Sequence, residues 1–249
     1  MGKMKRYKLT LEYDGTAYYG WQQQADPSLP TLQGQLEKAL SLIYKEPVKV
    51  LASGRTDRGV HARGQVITFD NLGKISVERI VAGLNSILPR DMLVTGGGEV
   101  DLSFHPRHSA KGKWYRYTIY NDMLPNVFWR NYSYHVSYLL DTTAMAAACA
   151  YFEGTHDFRS FCSARTGVKN SVRSMEKCWL TSDEKLIIID LRASGFLYNM
   201  ARIIVGTLVE VGRGKIKPAD ISHIFDRKDR IMTGPTAPPQ GLYLQQVYY

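Results

Sequence analysis

Residues 7–15 have the sequence YKLTLEYDG, in which apolar and polar side chains alternate up to an Asp-Gly pair. Leu9, Leu11 and Tyr13 would share one face of an extended chain, and polar residues would occupy the other. This period of two predicts a half-buried strand, and Asp14-Gly15 is typical of the turn that ends one. A strand with one apolar face needs a sheet and a covering layer. The flanking sequence must therefore supply both.

The rest of the first half supplies helices and further strands. Thr31 can cap a helix that Pro47 stops, and a second helix follows Ser76. Residues 96–98 are three glycines with no Lys-Ser/Thr after them, so we predict a flexible connection there and not a phosphate-binding loop. Further strands are predicted at residues 48–52, 65–69 and 92–95.

A similar element order returns after residue 110. Asp141 can cap a helix, Asp183-Glu184-Lys185 can turn a hairpin, and Pro218 suits the first turn of a short helix. Strands are predicted at residues 114–120, 174–180, 186–193 and 242–248, with a further helix at 198–211. We therefore predict an α+β fold of two similar split-βαβ, ferredoxin-like halves, residues 1–110 and 111–249, sharing a largely antiparallel sheet covered by helices.

The composition is that of a globular protein with a polyanionic partner. The 249 residues are 44% hydrophobic and contain 32 Lys+Arg against 23 Asp+Glu, a net charge of +9. This excess favours nucleic acid over an anionic membrane surface. No apolar run approaches the roughly 18 residues of a membrane helix, and no apolar segment follows the basic N-terminus, so we expect a cytoplasmic protein without a membrane partner.

Cysteines and histidines give no metal or disulfide pattern. The three cysteines include no C-x-x-C pair, which excludes a disulfide scaffold and a zinc ribbon. His105 and His108 have a metal-like spacing, but Pro106 disfavours a helical ligand face and no nearby Cys or carboxylate completes a set. We expect no metal and no cofactor.

The most unusual stretch is SGRTDRGVHAR at residues 53–63, between two predicted strands. One interpretation is a strand-connecting loop in which Gly54 and Gly59 supply special backbone angles and Asp57 bonds its own backbone; spacing alone favours this interpretation. The functional interpretation starts from the three arginines, which repel one another. Such a loop is expected to meet an anion or to pair an arginine with Asp57, and a neighbouring arginine would keep that carboxylate ionised, as a nucleophile or base requires.

The aromatic residues allow two interpretations as well. Tyr18, Tyr19 and Trp21 follow Asp14-Gly15, and Tyr115 and Tyr117 lie on one face of a strand with Arg116 on the other. Packing in the core is favoured for any single one of them. An exposed aromatic ring beside Arg or Lys could instead stack on a nucleic-acid base.

Residues 54–62, GRTDRGVHA, resemble the catalytic loop of the tRNA pseudouridine synthase A family. Further family motifs follow in the family's order and extend the resemblance over essentially the whole chain. These are residues 13–16 with 19–22, residues 104–105 before 115–117, residues 195–200 with Arg202, and residues 241–244.

The resemblance implies a pseudouridine synthase fold and a cofactor-free, homodimeric isomerase. It would convert uridine to pseudouridine at positions 38, 39 and 40 of the tRNA anticodon stem-loop. Asp57 is similar to the aspartate that attacks the flipped uridine, and whether it attacks the base or the sugar stays open. Arg55 is similar to the arginine that displaces the target nucleotide, Tyr115 to the tyrosine that stacks on the base, Arg202 to the arginine that pairs with the aspartate, and Leu242 to an apolar pocket residue.

Two other function classes remain open beside this one. The first is a non-catalytic RNA-binding protein or chaperone on the same fold, in which the basic surface binds RNA and Asp57 has no role. The second is a basic hydrolase acting on nucleotides, which would need a metal site or catalytic triad that the sequence does not display.

Overall fold

The computed structural model describes residues 4–71, 75–163 and 170–249. Contacts divide the chain into two compact units. The first unit comprises Met1–Lys111 with Tyr243–Tyr249, and the second comprises Gly112–Leu242.

The first unit contains the strand predicted from residues 7–15 and the helices that cover it. Its elements are β1 (Lys5–Tyr13), α1 (Leu32–Tyr44), β2 (Leu51–Ala52), β3 (His61–Asn71), α2 (Val77–Ile87) and β4 (Met92–Val100). The strand order is β4-β1-β3, with β2 on the other edge of β3, and all these pairs are antiparallel. This is the split-βαβ arrangement predicted from the element order.

Helix α1 begins and ends where its local sequence predicts. The Thr31 hydroxyl accepts the N–H of Gly34 at 3.3 Å, and the helix ends at Lys45 in the left-handed region with φ 57°. Leu32, Leu36 and Leu40 are fully buried. The cap and the apolar stripe thus determine this element locally.

Strand β2 is shorter than predicted, because side chains of α1 occupy the backbone donors that precede it. The N–H of Val48 donates to Ser41 Oγ at 3.1 Å, and the N–H of Val50 donates to Glu37 Oε1 at 3.1 Å. Only Leu51 and Ala52 pair with β3.

The prediction of a flexible connection at residues 96–98 is wrong, because these glycines lie within β4. They pair in register with Thr10, Leu9 and Lys8 of β1, so the ladder keeps them extended. A Cβ on Gly97 would stand 2.4 Å from Leu9 Cδ2, so a side chain there would displace the buried Leu9 side chain.

In its described residues, the second unit has another antiparallel sheet and three α-helices. Its elements are β5 (Gly112–Asn121), β6 (Tyr134–Val136), α3 (Thr142–Cys149), β7 (Gly154–Asp157), β8 (Val172–Asp183), β9 (Leu186–Ala193), α4 (Met200–Gly212) and α5 (Asp220–Arg227). The strand order is β5-β9-β8-β7, and the short β6 pairs with β5 in parallel. The sequence did not predict β6 and β7, which have three and four residues and too little alternation to detect.

Local signals also position the elements of the second unit. The Asp141 carboxylate accepts the N–H of Ala144 at 2.9 Å at the start of α3. Glu184, with φ 49°, turns the predicted hairpin. Helix α4 begins two residues later than predicted, because Asn199 lies in the left-handed region with φ 60°. Eleven of its 13 residues are buried, so α4 is the central helix of this unit.

The last strand and four short 3₁₀ helices complete the elements found in the part of the chain that the structure describes. The last strand, β10 (Leu242–Tyr248), has the predicted bounds, and its Tyr243 and Leu244 pair in parallel with His61 and Ala62 of β3. The 3₁₀ helices are Ala150–Phe152, Phe158–Phe161, Arg230–Met232 and Pro239–Gly241. The α+β class and the predominance of antiparallel pairing are thus confirmed.

None of the helices in the described residues combines the length and the apolar character that a membrane span requires.

Candidate active site

The loop that carries Asp57 joins β2 to β3 in the first unit. At its start, the N–H of Ser53 donates to the carbonyl of Val66 at 2.8 Å. At its tip, the N–H of Val60 donates to the Asp57 carbonyl at 3.1 Å, and Gly59 has φ 76°. A turn position with a positive φ favours glycine, as predicted for Gly59. Gly54 has no positive φ, so that part of the prediction is wrong.

A set of buried polar side chains forms hydrogen bonds that hold the loop. The hydroxyl groups of Tyr13 and Thr56 lie 2.8 Å apart, and burial raises the pKa of Tyr13 well above its ordinary value. The fully buried Gln65 donates to the Gly54 carbonyl at 2.8 Å and accepts the Ser53 hydroxyl at 2.7 Å. Satisfied buried networks are rigid, so the backbone on both sides of the partly buried Asp57 is held in place.

The segment after β1 braces the same loop. The N–H of Trp21 donates to the Thr56 carbonyl at 3.0 Å. A Cβ on Gly15 would stand 2.1 Å from the Val60 carbonyl oxygen, and one on Gly20 would stand 2.8 Å from that of Thr56. Two glycines therefore allow the two backbones to approach closely. This packing links the motif at residues 13–22 to the Asp57 loop.

The three aromatic residues of this segment have different environments. Tyr18 and Trp21 are 4% and 2% exposed and belong to the core, whereas Tyr19 is 36% exposed. The Arg58 guanidinium carbon lies 4.1 Å from the centre of the Tyr19 ring. Only Tyr19 of the three therefore meets the condition set by the sequence, an exposed ring beside a cation.

The arginines of the loop face solvent. Arg55, Arg58 and Arg63 are all exposed, and Arg63 lies 5.9 Å from the centre of the Tyr243 ring. Across residues 4–71, 75–163 and 170–249, no ion pair joins any of these three arginines to a carboxylate. The sequence analysis allowed these arginines either an external anion or Asp57 as a partner. The structure favours the external anion for Arg55, Arg58 and Arg63.

His61 is a site residue that the sequence analysis did not single out. It is 2% exposed, its ring stacks on Tyr243 with centroids 4.8 Å apart, and its Nδ1 accepts the N–H of Gly15 at 3.1 Å. The Asp14 carboxylate lies 3.1 Å from the same nitrogen. The sequence offered one indication of this role, because His61 lies within the unusual stretch of residues 53–63.

Tyr115 lies in the second unit, on β5, opposite Leu191 of β9. It is 8% exposed and meets the Phe196 ring edge-on, with centroids 4.8 Å apart. The edge-on contact fixes the orientation of the Tyr115 ring.

Arg202 lies in the first turn of α4, and its guanidinium is oriented from two sides. Nε donates to the Ala237 carbonyl at 2.7 Å, and Nη1 donates to Asn199 Oδ1 at 3.0 Å. The N–H of Ala237 donates in return to the Arg202 carbonyl at 3.0 Å. A guanidinium held in this way is pre-organised for a planar partner.

The chain between Ala237 and Leu242 contacts a second tyrosine of β5. The Tyr117 hydroxyl donates to the Pro238 carbonyl at 2.6 Å, and burial raises the pKa of this fully buried side chain well above its ordinary value. Leu242 follows directly and is 6% exposed. Arg202 and Tyr117 thus both hold the segment that leads to Leu242. The sequence had not assigned Tyr117 a role in positioning it.

The opposite face of β5 carries a structural ion pair. Asp190 is 1% exposed, accepts Arg116 Nε at 2.9 Å and Nη2 at 3.0 Å, and also accepts Trp114 Nε1 at 2.6 Å. Arg116 therefore lies on the face opposite Tyr115 and Tyr117, as predicted. Of the five site residues predicted from the sequence, Arg55 and Asp57 belong to the first unit, and Tyr115, Arg202 and Leu242 belong to the second.

Comparison with known proteins extends along the whole chain. A profile of the family described as tRNA pseudouridine synthase matches residues 10–109 and 148–249. The tRNA pseudouridine synthase A of Moorella thermoacetica is 48% identical over 242 residues, covering 97% of this chain and 98% of its own. That of Caldicellulosiruptor bescii is 47% identical over 246 residues, covering 99% and 100%. That of Bacillus subtilis is 46% identical over 246 residues, covering 98% and 99%. With its split-βαβ first unit and a braced GRTDRGVHA loop, this chain belongs to the tRNA pseudouridine synthase family.

Proposed function

We propose that this protein isomerises uridine to pseudouridine at positions 38, 39 and 40 of the tRNA anticodon arm, with Asp57 as the nucleophile. Family membership supports the reaction. The observation that carries the assignment to Asp57 is its place in the loop, partly buried at a turn whose backbone is held by Trp21, Gln65 and the Tyr13–Thr56 pair. A carboxylate on a rigid support is suited to attack a positioned substrate.

The reaction exchanges one bond of the ribose for another. The N1–C1′ bond breaks and the C5–C1′ bond forms. C5 gives up its proton and N1 takes one up, so atoms and electrons balance and the product is an isomer of the substrate. A covalent adduct with Asp57, on the base or on the sugar, would hold the uracil while it turns. Arg55, Tyr115, Arg202 and Leu242 keep the roles that the family resemblance implies for them.

A uridine within a stem must leave the helix before its atoms can be reached. The extrusion requires cations to hold the phosphate backbone and a side chain to displace the base. Arg55 is exposed two residues before Asp57, which suits the displacing role. We expect the protein to act in the cytoplasm, where its basic charge would meet tRNA.

The decisive experiment is incubation of the purified protein with unmodified tRNA, followed by mapping of pseudouridine by carbodiimide labelling. We expect product at positions 38–40 with the wild type. Asp57→Asn should bind tRNA normally and form no product. Asp183→Asn, at an exposed position at the end of β8, is the control and should be as active as the wild type.

Three results would contradict the proposal. No product in the anticodon arm from the wild type would reject the reaction. A normally active Asp57→Asn variant would reject the role of that residue. An inactive wild type that binds RNA, with Asp57→Asn unchanged, would favour the non-catalytic RNA-binding alternative.

We also propose that the protein is a homodimer. The support from its own surface is the segment between β5 and α3, residues 122–139, which includes the short β6 and is called the apolar loop below. Its ends are tied together by Asn121, whose amide donates to the carbonyls of Val136 at 2.9 Å and Tyr138 at 2.7 Å. Of the six most exposed large apolar side chains in the described residues, five lie here and the sixth is Ile231. The five are Met123, Leu124, Val127, Phe128 and Leu139, exposed by 83%, 73%, 67%, 86% and 92%.

A second copy of this chain is the partner that suits the apolar loop. Two chains that each carry a charge of +9 repel, so their contact needs a surface without net charge. The loop contains one acidic residue, Asp122, and one basic residue, Arg130, so its own formal charge is zero. Such a patch can face its own copy across a twofold axis. A stable interface buries about 800 Å² on each partner, and the exposed apolar side chains of the loop would supply a substantial part of that area.

The dimer can be tested by light scattering at micromolar concentration. We expect a mass of twice 28.2 kDa for the wild type and a mass near one chain for Phe128→Asp. Ile231→Asp adds the same charge at an equally exposed apolar position outside the loop and should leave the mass unchanged. A wild-type mass near one chain would reject the dimer.

A further inference from the structure

Arg58 and Tyr19 form an exposed stack beside Asp57. The guanidinium carbon lies 4.1 Å from the ring centre, which is well within the range of a cation–π contact. The backbone fixes both partners. The N–H of Tyr19 donates to the Pro30 carbonyl at 2.9 Å. A Cβ on the following Gly20 would stand 3.1 Å from the backbone nitrogen of Arg58. The stack is therefore part of the packing between the segment after β1 and the Asp57 loop.

The charge of Arg58 is not neutralised within the described part of the chain. No carboxylate there forms an ion pair with it, and Arg55 of the same loop and Arg63 near the start of β3 are also exposed. Three guanidinium groups within nine residues repel one another. An arrangement of this kind is stabilised when an external anion binds between or beside the groups.

Stacking also determines how Arg58 can bind that anion. The Arg58 guanidinium lies over the Tyr19 ring, its side chain is exposed, and no hydrogen bond within the described residues uses its N–H groups. Those N–H groups match two oxygens of a phosphate in a bidentate geometry. Because the side chain is already oriented, less rotamer entropy is lost on binding.

We propose that the Arg58–Tyr19 stack binds a backbone phosphate of the tRNA strand next to the extruded uridine. This inference rests on the proposed function and adds a substrate contact to it. Arg58 directly follows Asp57, with Cα atoms about 3.8 Å apart. We therefore expect a phosphate bound by Arg58 to belong to a nucleotide close to the one at the carboxylate. The stack positions the strand and takes no part in bond breaking.

The test measures affinity for unmodified tRNA as a function of salt concentration. We expect Arg58→Ala to weaken binding roughly fivefold or more at moderate salt and to reduce the slope of log K against log salt by about one. Arg58→Lys keeps the charge but loses the planar fork, and should restore the slope with only part of the affinity. Arg79→Ala is the control, because Arg79 is an exposed arginine on α2 of the same unit.

Variants of Tyr19 separate the stack from the charge alone. Tyr19→Phe retains the ring and should bind like the wild type. Tyr19→Leu should weaken binding about two- to fivefold without changing the salt slope, because the cation remains but is no longer oriented. For Arg58→Ala, we expect KM to rise with little change in kcat once tRNA is saturating.

A salt slope for Arg58→Ala equal to that of Arg79→Ala would overturn the inference, as would a wild type without affinity for tRNA. If Arg58 only stabilised the loop, its removal would lower the melting temperature and leave the salt slope unchanged, which would also overturn it. The outcome is independent of catalysis. Absence of pseudouridine would reject the proposed function, while the slope difference between the two arginine variants would still decide this contact.

Discussion

The hydroxyl groups of Tyr13 and Thr56 lie 2.8 Å apart in the interior of the first unit, and Thr56 is the residue directly before Asp57. This contact joins β1 to the loop that carries the candidate nucleophile. Gln65 donates to the Tyr13 oxygen as well, at 3.4 Å. The position of Asp57 therefore depends on buried polar groups from three parts of the sequence.

Removing the Tyr13 hydroxyl should loosen the loop. Tyr13→Phe leaves the Thr56 hydroxyl and the Gln65 amide each without one partner in the interior, so we expect a loss of about 1–2 kcal/mol in the free energy of unfolding. Urea unfolding at neutral pH measures it. Tyr151→Phe, at an exposed tyrosine, is the control and should change nothing. Equal stabilities of the two variants would contradict the structural role of Tyr13.

Alkaline pH should destabilise the fold. Burial raises the pKa of Tyr13 and Tyr117 above the ordinary value of 10.0, so above that pH the unfolded chain loses protons that the folded protein retains. The contribution to stability is complete below pH 10 and is lost as pH rises, by about 1.4 kcal/mol per pH unit for each tyrosine. Unfolding measured from pH 9 to 11.5 should show a smaller slope for Tyr13→Phe. An unchanged slope would mean that Tyr13 ionises in the folded state.

Gly20 should not tolerate a side chain. Gly20→Ala combines φ 87° with a Cβ only 2.8 Å from the Thr56 carbonyl oxygen, whereas Gly214→Ala has φ 73° and no atom within 4 Å of its Cβ. The control variant therefore pays only the left-handed strain, about 1–2 kcal/mol. We expect Gly20→Ala to lose at least about 1 kcal/mol more. It should also lower pseudouridine formation, because the clash displaces the Asp57 loop. Equal losses of stability in the two variants would show that the loop accommodates the methyl group.

The guanidinium geometry of Arg202 should matter for turnover. Lysine in its place cannot bond Ala237 and Asn199 while presenting a planar group, so we expect Arg202→Lys to lower kcat about ten- to a hundredfold. Arg213→Lys, in the same unit, alters the exposed pair with Glu210 and should leave kcat unchanged. Single-turnover kinetics at saturating tRNA measure the effect. A normal rate for Arg202→Lys would show that only charge is needed.

The buried carboxylate of Asp190 makes Arg116 important for stability. Arg116→Met would leave a 1% exposed charge with Trp114 as its remaining partner, and we expect a loss of about 2–4 kcal/mol. The double variant Arg116→Met/Asp190→Leu should recover a large part of it. Lys5→Met breaks the exposed pair with Glu99 and should cost less than about 1 kcal/mol. Similar losses for Arg116→Met and Lys5→Met would contradict this assignment.

Elements with local signals could be predicted from the sequence. The Thr31 and Asp141 caps, the 183–185 turn and the alternation in β1 all depend on residues within a few positions of one another. The unusual composition of the 53–63 stretch was also visible, because a concentration of arginines around one carboxylate needs no tertiary information to detect.

Other features depend on partners that are distant in the sequence. Residues 96–98 are extended because β1 pairs with them, more than 80 positions earlier in the chain. Residues 48–50 form no ladder, because side chains of α1 bind two of their N–H groups. No local pattern shows whether such a segment pairs in a sheet. Three glycines, or Val-Lys-Val, are compatible with a strand and with a connection.

The sequence by itself determined the α+β class, the order of the longer helices and strands and the unusual 53–63 stretch, because alternation, caps and charge are properties of neighbouring residues. Only the tertiary structure decided that Tyr19 and not Tyr18 faces solvent beside Arg58, and that Gln65, Tyr13 and His61 support the loop. The physical reason is that burial and hydrogen bonding depend on which strands and loops meet in space, and those contacts join residues tens of positions apart.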